Sequence, residues 1–316
     1  MVGGHEGAGV VVEVGPGVKD VAEGDPVVLS FIPACGRCEP CARGMSNLCV
    51  LGAAIIAGPP QLDGTFRFHA RGQGLGQMCV LGTFSEYTVV PVSSVVEVDS
   101  SVALDTAALV GCGVTTGYGS AVRTGGETRD GDVVVVMGVG GIGINAVQGG
   151  AHRRRRMIVA LDPVEYKRTR SLEFGATHAA ATVEEAQALI ADMTRGAMAD
   201  VCVVSTDVAE GAYVAQALIS SASGGPSGDD GYPAPGRHLR RHVALRPHAV
   251  RKKAGPRIAF SAHPVPRRDI PRLLELHSSG QLKLDELVTR EYSLEDINQG
   301  YADMHAGVNL RGLIRF

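Results

Sequence analysis

Hydrophobic and polar positions follow two different patterns along the chain, and the first pattern covers residues 1–110. Short β-branched runs there are separated by Gly, Pro and Asp, a pattern that predicts short β-strands joined by turns. The predicted strands are Val10–Val14, Asp25–Ser30, Glu86–Val90 and Val95–Val98. This part of the chain is therefore expected to be rich in β-structure.

The second pattern, in residues 131–220, alternates fully apolar runs with helical segments. The strands predicted from it are Asp132–Met137, Met157–Leu161 and Asp200–Ser205. The predicted helices are Lys167–Phe174, which stops at Gly175, and Val183–Met193, which opens with a capping box between Thr182 and Glu185. Strands that alternate with helices favour a parallel sheet covered on both faces.

Residues 222–267 interrupt this alternation. Gly224–Gly236 is rich in Pro and Gly, and cations crowd together in Arg237–His242 and Arg251–Lys253. A doubly wound domain should have further apolar strands here. Two readings stay open, a gene read locally out of frame and a real insertion. Regular patterning resumes at Asp269–His277, continues at Leu294–His305 and ends with a predicted strand at Leu310–Phe316.

Composition narrows the class of protein. A length of 316 residues favours two domains, and 45% hydrophobic with 20% charged residues is typical of a globular protein. A net charge of -3, with no aromatics among the cations of Arg237–Lys253, gives no reason to expect nucleic acid. Neither a membrane-spanning apolar run nor a secretory signal is evident, and a reducing cytoplasm is expected.

The most specific motif is a run of four cysteines, Cys35-x2-Cys38-x2-Cys41-x7-Cys49. Four thiolates on one short loop are the ligand set of a closed, structural zinc site. Arg37 and Arg43 nearby are expected to favour the thiolate form. Buried cysteines without a metal, or a redox pair, are the alternative readings.

A glycine motif follows the first strand of the second region. It runs Gly138, Val139, Gly140, Gly141, Ile142, Gly143, and Asp162 ends the next predicted strand. Such glycines permit a tight turn and bring a pyrophosphate close to the N-terminus of a helix. An acid at the end of the next strand suits the ribose of NAD and repels the 2′-phosphate of NADP. A glycine-rich turn that binds nothing is the alternative.

Two further residues gain meaning only in combination. His5, in Gly4-His-Glu6, is by itself more typical of a solvated histidine. Cys112, in Gly111-Cys-Gly-Val-Thr-Thr-Gly117, is by itself more typical of a small core residue.

Together these motifs resemble the zinc alcohol dehydrogenases of the medium-chain dehydrogenase/reductase family. Gly4-His-Glu-x2-Gly9-x5-Gly15-x2-Val18, the cysteine loop, the Cys112 segment and the glycine motif follow that family's order. Asp63–Phe68 and Gly82–Tyr87 resemble the branch of glutathione- or mycothiol-linked formaldehyde dehydrogenases, and most closely the mycofactocin-associated, nitrosoaniline-dependent alcohol dehydrogenases. The resemblance covers residues 2–221 and 268–316.

The resemblance implies an α/β protein with two domains. Residues 1–114 and 260–316 would form a GroES-like β-barrel catalytic domain, and residues 115–259 a doubly wound Rossmann domain that binds NAD, with 222–259 anomalous. Hydride would pass to NAD from a primary alcohol or a thiol–formaldehyde adduct. The partners implied are a small-molecule alcohol and, as in intact members of the family, a second copy of the chain, without nucleic acid or membrane.

The resemblance also assigns roles to individual residues. His5 and Cys112 would bind a catalytic zinc in addition to the structural one, and Glu6 would lie behind the metal. Thr116 would border the nicotinamide. The remaining cofactor contacts would come from the glycine motif, from Asp162 and Lys167 at the adenosine ribose, and from Arg311 at the pyrophosphate.

One departure concerns the start of the chain. In the family, a first cysteine ligand of the catalytic zinc and a Ser or Thr that begins a proton relay lie upstream of the His-Glu pair. We therefore expect an N-terminal truncation, an unpaired sheet edge and weak binding of the catalytic zinc. The competing hypothesis for this chain is a non-catalytic zinc-binding remnant of such an enzyme.

Overall fold

The computed structural model describes residues 1–57, 60–123, 130–153, 155–206, 216, 217, 220, 257–259 and 265–316. Two compact units are present, and the chain leaves the first unit for the second and then returns. The first unit is formed by Met1–Thr115 and Pro264–Phe316, and the second by Thr116–His263. In the described part of the chain, no helix has the length and apolar character needed to cross a membrane.

The first unit is built on short strands, which pair antiparallel except for the parallel pair at the C-terminal end of the chain. Its three-stranded sheet has the order β1-β2-β5, and the other strands pair as β3 with β4 and β11 with β12. The strands are β1 Gly7–Val10, β2 Pro26–Leu29, β3 Phe68–Ala70, β4 Gln73–Leu75, β5 Val95–Glu97, β11 Val288–Tyr292 and β12 Arg311–Ile314. The helices are α1 Glu39–Ala42, α2 Leu104–Ala107, α7 Pro266–Ser278 and α8 Ile297–Ala306, with short 3-10 turns at Ser46–Leu48, Val50–Ala57, Met78–Val80, Val92–Ser94, Ala108–Gly111 and Asp285–Leu287. The helix α3 Gly113–Arg123 leads from this unit into the second one.

The second unit contains a parallel sheet whose described strands have the order β10-β9-β6-β7-β8. These strands are β6 Val133–Met137, β7 Met157–Leu161, β8 His178–Ala180, β9 Val201–Val204 and β10 Arg257–Ala259. Its helices are α4 Gly143–His152, α5 Glu165–Glu173 and α6 Val183–Thr194. Every residue of β6 and β7 is buried, as expected for parallel strands covered on both faces. This sheet confirms the α/β class and the doubly wound order.

The helix boundaries predicted from caps are largely confirmed. Helix α5 ends just before Gly175, whose φ of +106° suits only glycine. At the start of α6, Thr182 accepts the N–H of Glu185 at 3.2 Å. The reciprocal half of the capping box is different, because the Glu185 carboxylate accepts the N–H of Ala181 at 2.8 Å and not that of Thr182.

Two predicted strands of the first unit are wrong. The strand predicted at Val10–Val14 is instead β1, Gly7–Val10, and Val12 beyond it is exposed. Glu86–Val90 forms no strand, and at one of its carbonyl groups side-chain amides take the place of a neighbouring strand. The carbonyl of Val89 accepts hydrogen bonds from Gln61 at 3.0 Å and from Gln77 at 3.1 Å.

Residues 222–267 were expected to break the alternation of strands and helices, and this prediction is wrong for one short segment. Within it, β10 pairs in parallel with β9, with Arg257 opposite Val201 and Ala259 opposite Val203. Residues 221–256 and 260–264 lie outside the described part, so the two readings of that tract, frameshift and insertion, stay open. The regular patterning expected from Asp269 corresponds to helix α7, which begins at Pro266.

Candidate functional site

The four cysteines come together in one cluster on the loop around α1. The Sγ atoms of Cys35 and Cys41 lie 4.0 Å apart, those of Cys38 and Cys49 lie 3.9 Å apart, and all four fall within 4.8 Å of one another. Tetrahedral zinc with Zn–S bonds of about 2.3 Å requires sulfur atoms about 3.8 Å apart. The cluster therefore has the size of a zinc–thiolate centre, and none of its members forms a disulfide.

The thiols of the cluster differ in their pKa values. The backbone N–H groups of Arg37 and Cys38 lower the pKa of the Cys35 thiol to about 6. Burial and a hydrogen bond with Cys38 raise the pKa of the Cys41 thiol to about 12. The thiolate of Cys35 is thus stabilised chiefly by backbone amides. A divalent cation would remove the remaining repulsion among four thiolates.

A second constellation in the first unit is built around Glu6. One oxygen of its carboxylate, Oε1, accepts the N–H of Gly113 at 2.6 Å, and Oε2 forms an ion pair with the guanidinium of Arg311. Gly113 directly follows Cys112, and Glu6 directly follows His5. The hydrogen bond therefore joins the two segments that carry His5 and Cys112.

Burial governs the charges of this constellation. Desolvation, followed by the positive charge of Arg311, lowers the pKa of His5. A histidine with a lowered pKa stays neutral, and the neutral imidazole is the form that binds metal ions. Burial also lowers the pKa of Arg311 to about 10, which leaves the guanidinium charged near neutral pH.

One residue of this site, Thr83, had no role assigned by the sequence. Its hydroxyl donates to the carbonyl of Glu6 at 2.8 Å, and its N–H donates to the carbonyl of Gly4 at 3.1 Å. The glycines on either side of the His-Glu pair leave room for it, since a Cβ on Gly4 would lie 2.4 Å from the Thr83 hydroxyl oxygen and one on Gly7 would lie 2.8 Å from its methyl carbon. The signal was the Gly82–Tyr87 motif, which served only for the resemblance.

The glycine motif of the second unit forms the turn between β6 and α4. Gly138 has a φ of +82°, and a Cβ on Gly143 would lie 1.8 Å from the carbonyl oxygen of Gly138. In the part of the chain that the structure describes, the N–H groups of Gly140, Gly141 and Ile142 have no hydrogen-bond partner. They lie at the positive end of α4, where backbone amides and the helix dipole favour an anion.

Asp162, Lys167 and Thr116 lie in the same unit, whereas Arg311 lies in the first unit. The carboxylate of Asp162 accepts the N–H of Val139 at 3.0 Å and that of Val164 at 2.9 Å. The Lys167 ammonium lies 3.9 Å from the position that a Cβ on Gly140 would take. The hydroxyl oxygen of Thr116 is buried and has no hydrogen-bond partner among the described residues.

Comparison with known proteins gives these sites their context. Residues 1–100 match the family described as "Alcohol dehydrogenase GroES-like domain". The chain is 48% identical over 315 residues to the NDMA-dependent alcohol dehydrogenase of Amycolatopsis methanolica, an alignment that covers 99% of this chain and 84% of that protein. The chain belongs to the zinc-type medium-chain alcohol dehydrogenase family.

Two further comparisons, with a more distant relative and with a solved structure, agree with this family. The chain is 36% identical over 317 residues to the S-(hydroxymethyl)glutathione dehydrogenase of Aspergillus oryzae, covering 98% of this chain and 80% of that one. A zinc-binding alcohol dehydrogenase domain protein from Burkholderia ambifaria, whose structure is solved, superposes with a TM-score of 0.80 at 30% identity. That match covers 100% of this chain and 84% of the solved one. The resemblance inferred from the motifs is confirmed.

Membership in this zinc alcohol dehydrogenase family implies zinc and NAD, and the two groups fit the described residues to different degrees. The cysteine cluster offers a complete ligand set for structural zinc. The free amides of the glycine turn and the unpartnered Thr116 hydroxyl suit a dinucleotide. The set around His5 is smaller: in the described residues, the four cysteines are the one group of three or more histidine, cysteine or carboxylate side chains placed to share an ion.

Proposed function

We propose that this protein oxidises primary alcohols to aldehydes with NAD⁺ as the hydride acceptor, and that His5 and Cys112 hold its catalytic zinc. The observation that carries the proposal is the hydrogen bond from the Gly113 N–H to Glu6, which joins the segments of these two ligands. The 48% identity to a named alcohol dehydrogenase supports the reaction class.

The reaction breaks two bonds of the alcohol. The carbinol C–H bond would give up hydride, with both electrons, to NAD⁺, the oxidant that the second unit would hold. The O–H bond breaks as its proton passes to solvent. The products are an aldehyde, NADH and a proton, so that atoms and charges balance.

The residues of the first unit are proposed to bind the zinc ion and the alcohol. A zinc ion held by His5 and Cys112 would supply a Lewis acid for the alcohol oxygen. His5 is kept neutral by burial, and Cys112 is buried beside the turn that Glu6 holds. Glu6 is fixed by Gly113 and Arg311, so its carboxylate orients the two ligand segments.

The residues of the second unit prepare the cofactor side. We assign the pyrophosphate of NAD to the free N–H groups of Gly140, Gly141 and Ile142, and the adenosine ribose to Asp162 and Lys167. Each oxygen of Asp162 already accepts one N–H and keeps a lone pair for a ribose hydroxyl. Thr116 would border the nicotinamide. These assignments extend to the domains: residues 1–114 and 260–316 would form the catalytic domain, and residues 115–259 the NAD-binding domain.

Arg311 has two partners in this proposal. Its guanidinium is bound to Glu6, and its remaining N–H groups are proposed to reach the pyrophosphate once NAD is bound.

The substrate class is proposed from the sequence identities to two named relatives. The identity of 48% to an NDMA-dependent alcohol dehydrogenase exceeds the 36% to an S-(hydroxymethyl)glutathione dehydrogenase. We therefore propose a free primary alcohol as substrate, in preference to a thiol–formaldehyde adduct. The nitrosoaniline dye NDMA is proposed as an artificial acceptor for electrons from the reduced nicotinamide.

The test compares two histidine variants of the full chain. We expect His5→Gln to lose about one zinc ion per chain and most of the alcohol oxidation, because it removes a ligand of the catalytic metal. His69→Gln, an exposed histidine on β3, is the matched control and should keep both zinc and activity. Equal zinc content and equal rates in the two variants would refute the assignment of His5.

A further inference from the structure

Three neighbouring strands of the second unit end beside the glycine turn. In the sheet, β6 lies between β9 and β7, and Gly138, Ser205 and Asp162 directly follow these three strands. In a doubly wound sheet the carboxyl ends of the strands form the ligand crevice at such a point. Ser205 is the one of the three to which the sequence assigned no role.

The Ser205 hydroxyl forms a hydrogen bond with the glycine turn. It donates to the carbonyl of Gly138 at 2.7 Å and lies 3.3 Å from the carbonyl oxygen of Met137. The Ser205 N–H also donates to Met137 at 2.9 Å, which fixes the position of the serine relative to β6. The hydroxyl is therefore held where it can bond the first carbonyl of the turn.

The same peptide group is bound from its other side. The carbonyl of Gly138 and the N–H of Val139 belong to one planar peptide unit. That N–H donates to Asp162 at 3.0 Å, while the carbonyl accepts from Ser205 at 2.7 Å. Two hydrogen bonds at opposite ends of a plane fix its rotation, so Ser205 and Asp162 act as a clamp on the opening peptide of the turn.

The clamp is packed tightly against the start of α4. A Cβ on Gly143 would lie 2.7 Å from the Ser205 hydroxyl oxygen and 1.8 Å from the carbonyl oxygen of Gly138. A rotation of this peptide would therefore displace the first turn of the helix. The free N–H groups of Gly140, Gly141 and Ile142 lie in the short segment between the clamped peptide and that helix.

We infer that Ser205 is a positioning residue for the pyrophosphate site of NAD. It acts through the Gly138–Val139 peptide and does not touch the cofactor. The inference rests on the proposed function, because it takes the glycine turn as the site of the pyrophosphate. It adds a second role to Asp162, whose carboxylate orders the turn as well as facing the ribose.

The test measures NAD⁺ binding by calorimetric titration of the full-length protein. Ser205→Ala should weaken binding about three- to tenfold, the range for one lost hydrogen bond. Ser205→Thr keeps the hydroxyl and should restore most of the affinity. In an alcohol assay, Ser205→Ala should raise KM for NAD⁺ and leave kcat at saturating NAD⁺ near that of the parent.

Ser171 supplies the matched control, since it is a buried serine of the same unit whose hydroxyl donates to the carbonyl of Arg168 at 2.6 Å. Ser171→Ala should bind NAD⁺ like the unaltered chain. The inference is overturned if Ser205→Ala keeps full affinity, or if Ser171→Ala loses as much. Failure of the unaltered chain to bind NAD⁺ would contradict the proposed function itself and the inference with it.

Discussion

The ion pair between Glu6 and Arg311 joins the beginning of the first unit to its last strand. Both side chains are largely buried, with exposed fractions of 15% for Glu6 and 21% for Arg311. Glu6 also accepts the N–H of Gly113, so its charge is balanced by one cation and one amide. The hydrogen bond to Gly113 links the segments that carry His5 and Cys112.

Replacing Arg311 should therefore cost more than replacing an exposed arginine nearby. We expect Arg311→Met to lower the free energy of unfolding by about 1–3 kcal/mol, because it leaves the Glu6 carboxylate buried with one partner fewer. Arg315→Met, which breaks exposed ion pairs with Asp105 and Glu291, should cost only about 0–1 kcal/mol. Urea denaturation of both variants measures the difference, and equal costs would mean that the Glu6–Arg311 pair adds nothing to stability.

The cysteine cluster predicts a metal that is held by four thiolates together. Cys38→Ser removes one ligand of the four and should lower the zinc content by about one ion per chain, with a lower Tm. Cys202→Ala removes a fully buried thiol outside the cluster and should leave the zinc content unchanged. Metal analysis by mass spectrometry gives the comparison. If Cys38→Ser keeps its zinc, the cluster is a set of free thiols.

The glycine turn should not tolerate a side chain at the start of α4. Gly143→Ala places a Cβ 1.8 Å from the carbonyl oxygen of Gly138, so we expect NAD⁺ binding to be lost and stability to fall by about 1–3 kcal/mol. Gly15→Ala is the control, because nothing lies within 4 Å of its Cβ position. Calorimetric titration with NAD⁺ and thermal unfolding check both effects. Retention of NAD⁺ binding by Gly143→Ala would exclude this turn as the cofactor site.

The sequence predicted best the parts that a local pattern determines. Strands β6 and β7 were evident because parallel strands buried on both faces appear as continuous apolar runs. The end of α5 was evident because Gly175 needs a positive φ. The metal cluster followed from ligand spacing alone, since all four cysteines lie on one loop.

The sequence failed where backbone groups are satisfied by distant side chains. The run Glu86–Val90 has the composition of a strand, but the Gln61 and Gln77 amides take the place of a neighbouring strand at Val89. The pairing of Glu6 with Arg311 and the contact of Thr83 with Glu6 join positions far apart in the chain. No local periodicity carries such information.

Acid should weaken the first unit through Asp303. Hydrogen bonds from Tyr292 and Gln299, with the charge of Arg290, hold the pKa of Asp303 below its ordinary value of 3.8. Because the folded state binds the proton less readily, this carboxylate stabilises the fold above pH 3.8 and loses that effect as the pH falls below it. Asp303→Asn should be less stable than the parent near neutral pH, and the difference should shrink as the pH falls below 3.8. Chemical denaturation across this range measures it, and a difference that stays constant with pH would contradict the prediction.

The central claim is that this chain is a zinc-dependent alcohol dehydrogenase whose second metal is held by His5 and Cys112. Its most direct test measures zinc content and alcohol oxidation on the same preparation of the full-length protein. The account predicts about two zinc ions per chain and oxidation of a primary alcohol, seen as nicotinamide absorbance or as reduction of the NDMA dye. About one zinc ion per chain, bound only by the cysteine cluster and without alcohol oxidation, would contradict it.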